Sequence, residues 1–484
     1  MSRDSNNQSP KYTITSAVIH ADRYTASLNE SSVSSERVID FDVTKDLVEL
    51  NIFESLDRAY LTGNCTIVDK DSIFSNMGLQ GTERITINMS TADINQTPIL
   101  VEKTFIMYQT KNQVKMSNGS ASVFLFNLID EHGFLGRITK ISRSYSGSIE
   151  KTVKSILQND LNRELEISYT GVTDGSSQNS IQEDIKCIIP NMTAINAIEW
   201  LTSRLTTING TPYFIYATMR LPNLHSSVDN LEVSDDDEAV LQGNIIRIGN
   251  LDTMLRQKEF NKIPFVYNPN RTDSVHEGNP VQQLFTIKSV KTGSSGNTLR
   301  LAELGAFSAE YSNTDLNTGE IFTTRCTIED TIEKLRNDDI ISEERGFSQE
   351  VYDGVFNLNG KRLLDYDSVK YHGVTSSGTY GNFKSYHDEE DNSKFKTKIS
   401  SRGMKNVLHK STITVVTEGA AILVAGAKVG DIMKVLISAD NDTSESSLYD
   451  KRLSGRYLMY DIKHSFTGEM HDATITLCKL DSEI

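Results

Sequence analysis

The sequence predicts a mainly β protein with α+β insertions, in which two strand-rich regions flank a mixed α/β region. Apolar and polar residues alternate with a period of two near both ends of the chain, over residues 48–52, 85–89 and 473–477. Such alternation is typical of strands that bury one face. In the middle of the chain the apolar spacing changes to i, i+4 and i+7, which is typical of amphipathic helices.

The first strand-rich region is predicted to cover residues 12–145, after a flexible polar tail at residues 1–11. Phe124, Phe126 and Leu128 share one face of a predicted strand. Glycine and asparagine separate the strands, as turns require. The region is therefore expected to be an antiparallel sandwich or barrel, with Ile67, Ile85 and Ile87 in its core.

A mixed α/β region is predicted over residues 146–267. Ser148 is placed to cap a helix with the apolar residues Ile149, Val153, Ile156 and Leu157. A second helix is expected after Pro190, with an apolar stripe formed by Ala194, Ile198, Leu201 and Leu205. A turn at residues 209–212 then leads to a buried strand at residues 213–216.

Residues 268–400 are predicted to form a connector with one short helix and long polar loops. Thr327 is the expected N-cap of that helix, because Asp330 follows three residues later. Residues 373–392 form a polar loop that we expect to face a partner. Residues 401–484 form the second strand-rich region, with Tyr457 and Leu458 expected in its core.

The charge balance disfavours nucleic-acid and membrane binding. The 484 residues include 49 Lys and Arg against 65 Asp and Glu, a net charge of −16. Neutralising phosphate or anionic lipid requires a basic surface instead. The four cysteines are far apart, and the polar first ten residues lack the apolar core of a secretory signal. We therefore expect reduced thiols and synthesis without secretory export, in a reducing compartment.

The sequence contains no recognisable catalytic or ligand-binding motif. Five residues rather than four lie between Gly354 and Gly360, and Arg362 stands where a phosphate loop needs a hydroxyl. His276-Glu277 begins a zinc motif, but position 280 is proline. Residues 387–391, one histidine followed by four contiguous acids, lack the spacing of a cation loop. We expect no catalytic residues, no cofactor and no metal, and hence a binding or assembly protein.

Two motifs, one after the other along the chain, carry a resemblance to a known family. In the first, a strand containing Gly63 ends at Asp69 and is followed by Gly81, Glu83 and a strand at residues 85–87. This pattern resembles the first barrel of baseplate hub proteins from contractile-tail bacteriophages, a family that includes similar hubs of type VI spikes.

The second motif lies near the C-terminus and resembles the last part of the same hubs. Gly430 precedes a Leu-Ser-Gly-Arg-Tyr-Leu segment, which is followed by a histidine and a closing strand. The resemblance covers most of the chain loosely, and the order of the motifs is its strongest feature. The structural positions it implies are Gly63, Asp69, Gly81, Glu83, Gly430, Leu453, Gly455, Tyr457 and His464.

The resemblance implies a structural function without enzymatic activity. Such hubs are homotrimeric rings in which each chain supplies two tube-like β-barrel domains. Three chains therefore present six barrels to a six-fold tail tube while holding a three-fold central spike, which resolves a symmetry mismatch. The implied partners are a tail tube or tube-initiator protein, the central spike, other baseplate proteins and further copies of the chain. The implied location is the tail baseplate of the virion, around the path of DNA ejection, after synthesis and assembly in the bacterial host cytoplasm.

Two alternatives remain open from the residues. One is the hub of a type VI or extracellular contractile injection spike, although many such chains continue into a fused spike. The other is a carbohydrate-binding or hydrolase protein at the tail tip. The single Trp and 8% aromatic residues make a sugar-binding platform less favoured.

Overall fold

The computed structural model describes most of the chain in sixteen segments. These are residues 13–24, 36–74, 78–92, 98–116, 121–161, 165–167, 184–219, 245–268, 285–292, 297–342, 346–347, 360–375, 392–424, 426–439, 449–468 and 470–482. The predicted tail at residues 1–11, most of the predicted loop at 373–392 and the acidic residues 387–391 lie outside these segments.

The first strand-rich region forms seven antiparallel strands in the order β2-β1-β5-β6-β7-β4-β3. Their alternating apolar residues surround a core that contains Ile67, Ile85, Ile87 and Phe126, as the period of two predicts. The strands are β1 (Thr13–Tyr24), β2 (Glu36–Asp42), β3 (Leu47–Ser55), β4 (Thr62–Asp69), β5 (Arg84–Ala92), β6 (Pro98–Lys115) and β7 (Ser122–Asp130).

The mixed region packs four helices against five strands. Ser148 accepts a hydrogen bond from the Lys151 backbone N–H at 3.3 Å, which confirms its predicted place at the start of the first long helix. The elements are α1 (Glu131–Ile138), β8 (Lys140–Ser148), α2 (Ile149–Leu161), β9 (Leu165–Ile167), β10 (Asp184–Thr193), α3 (Ala194–Thr202), β11 (Tyr213–Thr218), β12 (Ile245–Asn250) and α4 (Leu251–Arg256).

The helix expected after Pro190 is shorter than its apolar stripe suggests. Pro190 belongs to β10, and α3 begins at Ala194. The side chain of its N-cap, Thr193, accepts a hydrogen bond from the Asn196 N–H. The helix ends at Thr202 with Ser203 as its C-cap, so Leu205 was wrongly assigned to the helix. Leu205 is nevertheless buried, because the turn after α3 folds back onto the same core.

The connector contains a small sheet of three strands, β16-β15-β17, and several helices. The Thr327 side chain caps α6 and the Asp330 side chain accepts from the Thr327 N–H, which confirms the predicted capping box. The elements are β13 (Phe265–Tyr267), β14 (Ile287–Thr292), α5 (Thr298–Glu303), β15 (Ser308–Asp315), β16 (Ile321–Thr327), α6 (Ile328–Asn337), a 3₁₀ turn (Leu363–Asp365), β17 (Val369–Thr375) and α7 (Asn392–Val407).

The second strand-rich region extends the first sheet. It contains β18 (Thr412–Glu418), α8 (Gly419–Val424), β19 (Ile432–Ile437), β20 (Gly455–Thr467) and β21 (Met470–Asp481). The order β14-β18-β21-β20-β3 joins these strands to the N-terminal ones in a single 13-stranded sheet, with β13 and β19 attached at its side. Tyr457 and Leu458 are fully buried in its core, as predicted.

Candidate structural site at the junction of the strand-rich regions

The two strand-rich regions meet in one antiparallel ladder. Residues 461–467 of β20 pair with residues 49–55 of β3. Within this ladder Ile52 lies opposite His464 on one side and opposite Gly63 of β4 on the other. Gly63 and His464, which come from the two separate sequence motifs, therefore lie on either side of a single strand.

Glycine is required at position 63, because the backbones of β3 and β4 approach too closely there for a side chain. A Cβ at this position would lie 2.6 Å from the carbonyl oxygen of Asn51, well inside van der Waals contact. Asn51 also donates to the side chain of Asn64 at 2.8 Å and accepts from Ser465 at 2.6 Å. The amide of Asn51 thus links β3 to β4 and to β20, the strands on both of its sides.

His464 belongs to a buried polar cluster at this junction. Its Nδ1 lies 3.1 Å from Nε2 of His471, so one ring donates to the other. Its Nε2 lies 3.6 Å from the carboxylate of Glu54, which also accepts from the backbone N–H of Met219 at 2.8 Å. Both histidines and Glu54 are almost fully buried. This cluster therefore connects β20 and β21 to β3 and to the end of β11.

His471 is held neutral in the folded protein. Burial, the neighbouring His464 and the Lys288 ammonium hold the pKa of His471 well below its usual range. Its ring also stacks on Phe466, with centroids 4.2 Å apart. A neutral imidazole suits this position, because a charged ring would lose its hydration and lie beside the Lys288 ammonium.

Acidification is expected to destabilise the protein through His471. Below about pH 6.5 the unfolded chain binds a proton at this histidine that the folded chain does not, so the free energy of unfolding falls by up to about 1.4 kcal/mol per pH unit. Urea unfolding between about pH 5 and pH 7.5 measures the slope. His471→Phe should flatten it, and equal slopes for the two proteins would contradict this assignment.

A second buried cluster caps α1 beside the junction. Asp130 accepts from the backbone N–H groups of Leu61 at 2.6 Å and Gly133 at 2.9 Å, and His132 lies 3.3 Å away. Burial raises the pKa of Asp130, although His132 and the two N–H donors favour its charged form. Burial likewise lowers the pKa of Lys103 to about 8, opposed by Glu54 and Asp130. The sequence search missed this cluster, because its members are scattered over three strands, one helix and the residue before β4.

The first motif contributes two turns at the ends of strands. Asp69 ends β4 and accepts from the backbone N–H groups of Ile73 at 2.8 Å and Phe74 at 3.1 Å. Glu83 precedes β5 and accepts from Gln80 at 2.7 Å and from Gly81 at 2.9 Å. Both carboxylates are buried, and each satisfies two backbone donors that the turn would otherwise leave unpaired.

The second motif closes the last hairpin. Gly455 has a φ of +139°, and a Cβ on it would overlap the Asp481 carbonyl group. The Tyr457 hydroxyl donates to the Leu453 carbonyl at 2.5 Å, which holds the turn before β20 in place. Burial raises the pKa of Tyr457, so the hydroxyl keeps its proton. Gly430 has a φ of +89° and donates its N–H to the carbonyl of Met459 in β20 at 2.8 Å.

Arg456 is the principal residue of this hairpin that the sequence search did not select. Its side chain is fully buried, and its guanidinium lies 2.7 Å from Glu259 and 3.2 Å from Asp481. Asp481 also accepts from the Gly346 N–H at 2.9 Å. The only sign of this buried ion pair in the sequence is that an arginine stands within an otherwise apolar strand. The sequence does not identify the two acids that approach it.

The described segments hold no group of three or more His, Cys, Asp or Glu residues that could bind a metal ion. The four cysteines are free thiols, and burial raises the pKa of Cys65 to about 12. No helix among these segments combines the length and apolarity needed to span a membrane. The contacts of the clusters at the junction join neighbouring strands and the start of α1.

Comparisons with known proteins give likenesses at the level of three-dimensional structure. No protein-family model and no curated protein sequence matches the chain. A 43 kDa tail protein of prophage MuSo2 from Shewanella oneidensis is similar over 96% of this chain and 97% of its own, with 9% identity and a TM-score of 0.45. A tail protein from Neisseria meningitidis MC58 is similar over 96% of both chains, with 10% identity and a TM-score of 0.42.

A third likeness is to a chain of the Francisella PdpA-VgrG complex. It covers 99% of this chain but 54% of that chain, with 10% identity and a TM-score of 0.42. This chain therefore spans about half the length of that protein.

Proposed function

We propose that this chain is the structural baseplate hub of a contractile phage tail. Three copies would form a ring that adapts the six-fold tail tube to the three-fold central spike. The two sequence motifs support this proposal. Their residues lie in one continuous sheet, where they serve strand pairing, turns and the closing hairpin. The clusters described above act on packing, which agrees with a structural rather than an enzymatic function.

The observation that carries the proposal is the second half of β6. Its pairing with β5 ends at Ile106, and the strand continues to Lys115 with only β7 beside it in the described part of the chain. Residues 108–116 are exposed on both faces, including the apolar Tyr108, Val114 and Met116. An exposed strand with an uncovered edge and apolar side chains favours pairing with another chain.

We place a second copy of the chain at this edge, because a ring of strand-rich domains requires contacts between neighbouring barrels. The tail tube or tube-initiator protein and the central spike would bind the two faces of the ring, with other baseplate proteins around it. The net charge of −16 supports a role beside the DNA path, since acidic walls repel phosphate and leave ejection unhindered.

The proposal predicts a trimer in solution. Light scattering over a concentration series should show a species near three times 54.0 kDa, or about 162 kDa. Val114→Glu should shift the mass toward the monomer, because a carboxylate at the edge would be buried without a partner. Ile188→Glu is the matched control, since Ile188 is 72% exposed and lies on β10.

The trimer of the control should remain intact. A monomer at every concentration, or an unchanged trimer in the Val114→Glu protein, would contradict assembly through β6.

A further inference from the structure

A groove with cationic walls lies between the mixed region and α7. It encloses about 610 Å³, and none of the described residues that line it is acidic. Its cationic lining consists of Arg204, Lys398, Arg402 and Lys405. We call it the basic groove. Four cations with no acidic residue in the lining are unusual in a chain whose net charge is −16, and Lys405 pairs with Asp57, which lies outside the lining.

Helix geometry places three of these cations in a row. Lys398, Arg402 and Lys405 are spaced i, i+4 and i+7 along α7, so they share one face of that helix over a length of about 10 Å. Arg204 lies in the turn after α3 and forms the facing wall. The tyrosines Tyr213, Tyr311 and Tyr371 complete the lining with rings that carry a hydroxyl.

The two arginines of the basic groove contact aromatic rings rather than acidic side chains. Arg204 lies 3.6 Å from the centroid of the Trp200 ring and donates to the carbonyl of Trp200 at 2.9 Å. Arg402 lies 5.5 Å from the centroid of Tyr371. In the part of the chain that the structure describes, neither forms an ion pair. Both are exposed, so their positive charge remains available to a ligand.

The walls of the basic groove are fixed relative to each other. Gly210, in the turn before β11, has a φ of +84°, and a Cβ on it would lie 2.9 Å from Cβ of Ser400 on α7. Lys405 pairs with Asp57 and lies 5.3 Å from the centroid of Phe214. The cations are therefore presented by a packed scaffold, which lowers the entropic cost of binding.

We propose that the basic groove binds an acidic peptide segment of another protein in extended conformation. Alternate side chains of an extended segment lie about 7 Å apart on one face, close to the spacing of cations one helical turn apart. Arginine and lysine bind carboxylates by charge-assisted hydrogen bonds, and the tyrosines can donate further ones. A long nucleic acid is disfavoured because the acidic remainder of the chain repels it. This inference uses no residue of the β6 edge and does not depend on the hub assignment.

Fluorescence anisotropy tests the proposal with a labelled peptide of about eight residues that alternates Glu and Ser. The full-length protein should bind it, and binding should weaken as salt is added because the contacts are ionic. A peptide that alternates Gln and Ser should not bind. Labelled single-stranded DNA and inorganic phosphate, used as competitors, distinguish the other anion classes.

The double variant Arg204→Gln/Arg402→Gln should lose about tenfold or more in affinity, since two charge-assisted contacts disappear. The matched control Lys291→Gln/Arg300→Gln removes two exposed cations outside the groove and should bind as the wild type does. Circular dichroism and thermal unfolding confirm that each variant is folded. Absence of binding to the Glu peptide, equal affinity of the groove variant and the wild type, or stronger binding of DNA or phosphate would overturn the proposal.

Discussion

Replacing Gly455 by valine is expected to prevent the C-terminal hairpin from forming and to leave little folded protein. At a φ of +139° a β-branched residue is strained, and its Cβ would overlap the Asp481 carbonyl and lie 2.9 Å from Cα of Ser482. These obstacles are backbone atoms, so they cannot rotate away. We expect a loss of more than about 4 kcal/mol in the free energy of unfolding, the range reserved for severe core defects.

Urea unfolding of the soluble fraction measures this loss, and Gly468→Asn is the matched control. Gly468 also has a positive φ, at +60°, and lies in the turn between β20 and β21, but a Cβ there meets no atom within 4 Å. Asparagine tolerates this left-handed conformation. The control should unfold near the wild-type midpoint. A Gly455→Val protein with the same midpoint as the wild type would show that the hairpin does not need glycine.

Replacing Arg456 by methionine is expected to cost about 3–5 kcal/mol, because it removes the buried cation that lies beside the buried Asp481 carboxylate. Asp481 is almost fully buried and would lose its contact with the guanidinium at 3.2 Å, while Glu259 would lose a contact at 2.7 Å. Methionine preserves most of the side-chain volume, so the loss reports charge more than packing. Urea unfolding at neutral pH measures it.

The control for Arg456 is an arginine–glutamate pair of similar length at the surface. Arg362 lies 2.9 Å from Glu329, and both side chains are nearly half exposed. Arg362→Met should therefore cost no more than about 1 kcal/mol, as exposed pairs usually do. If the two variants lose equal stability, burial does not govern the contribution of Arg456 to the free energy of unfolding.

The sequence predicted the local features of the fold because the residues that determine them are neighbours in the chain. The capping box at Thr327 and Asp330 depends on a spacing of three, and the Ser148 cap on the same spacing. The burial of Ile85 and Ile87 follows from alternation within one strand. The stripe that included Leu205 failed, because a turn can bury an apolar residue on the same core without continuing the helix.

The motifs predicted which residues belong to the candidate site, but not which of them are neighbours in space. Gly63 and His464 were selected from separate motifs, and only the structure places them on opposite sides of Ile52. Arg456 stood inside a quoted motif without being selected, and neither Glu259 nor Asp481 could be assigned to it. Partners so far apart in the chain leave no pattern in a single sequence.

The sequence by itself determined the class of the protein: its strand-rich ends, its helical middle region, its capped helices and its acidic charge. These properties follow from spacing and composition, which act over a few residues or over the whole chain. The tertiary structure alone decided that β3 pairs with β20, that His471 is buried beside His464, and that four cations surround one groove. Those outcomes depend on which distant surfaces pack together, and the free energy of that packing is a property of the complete fold.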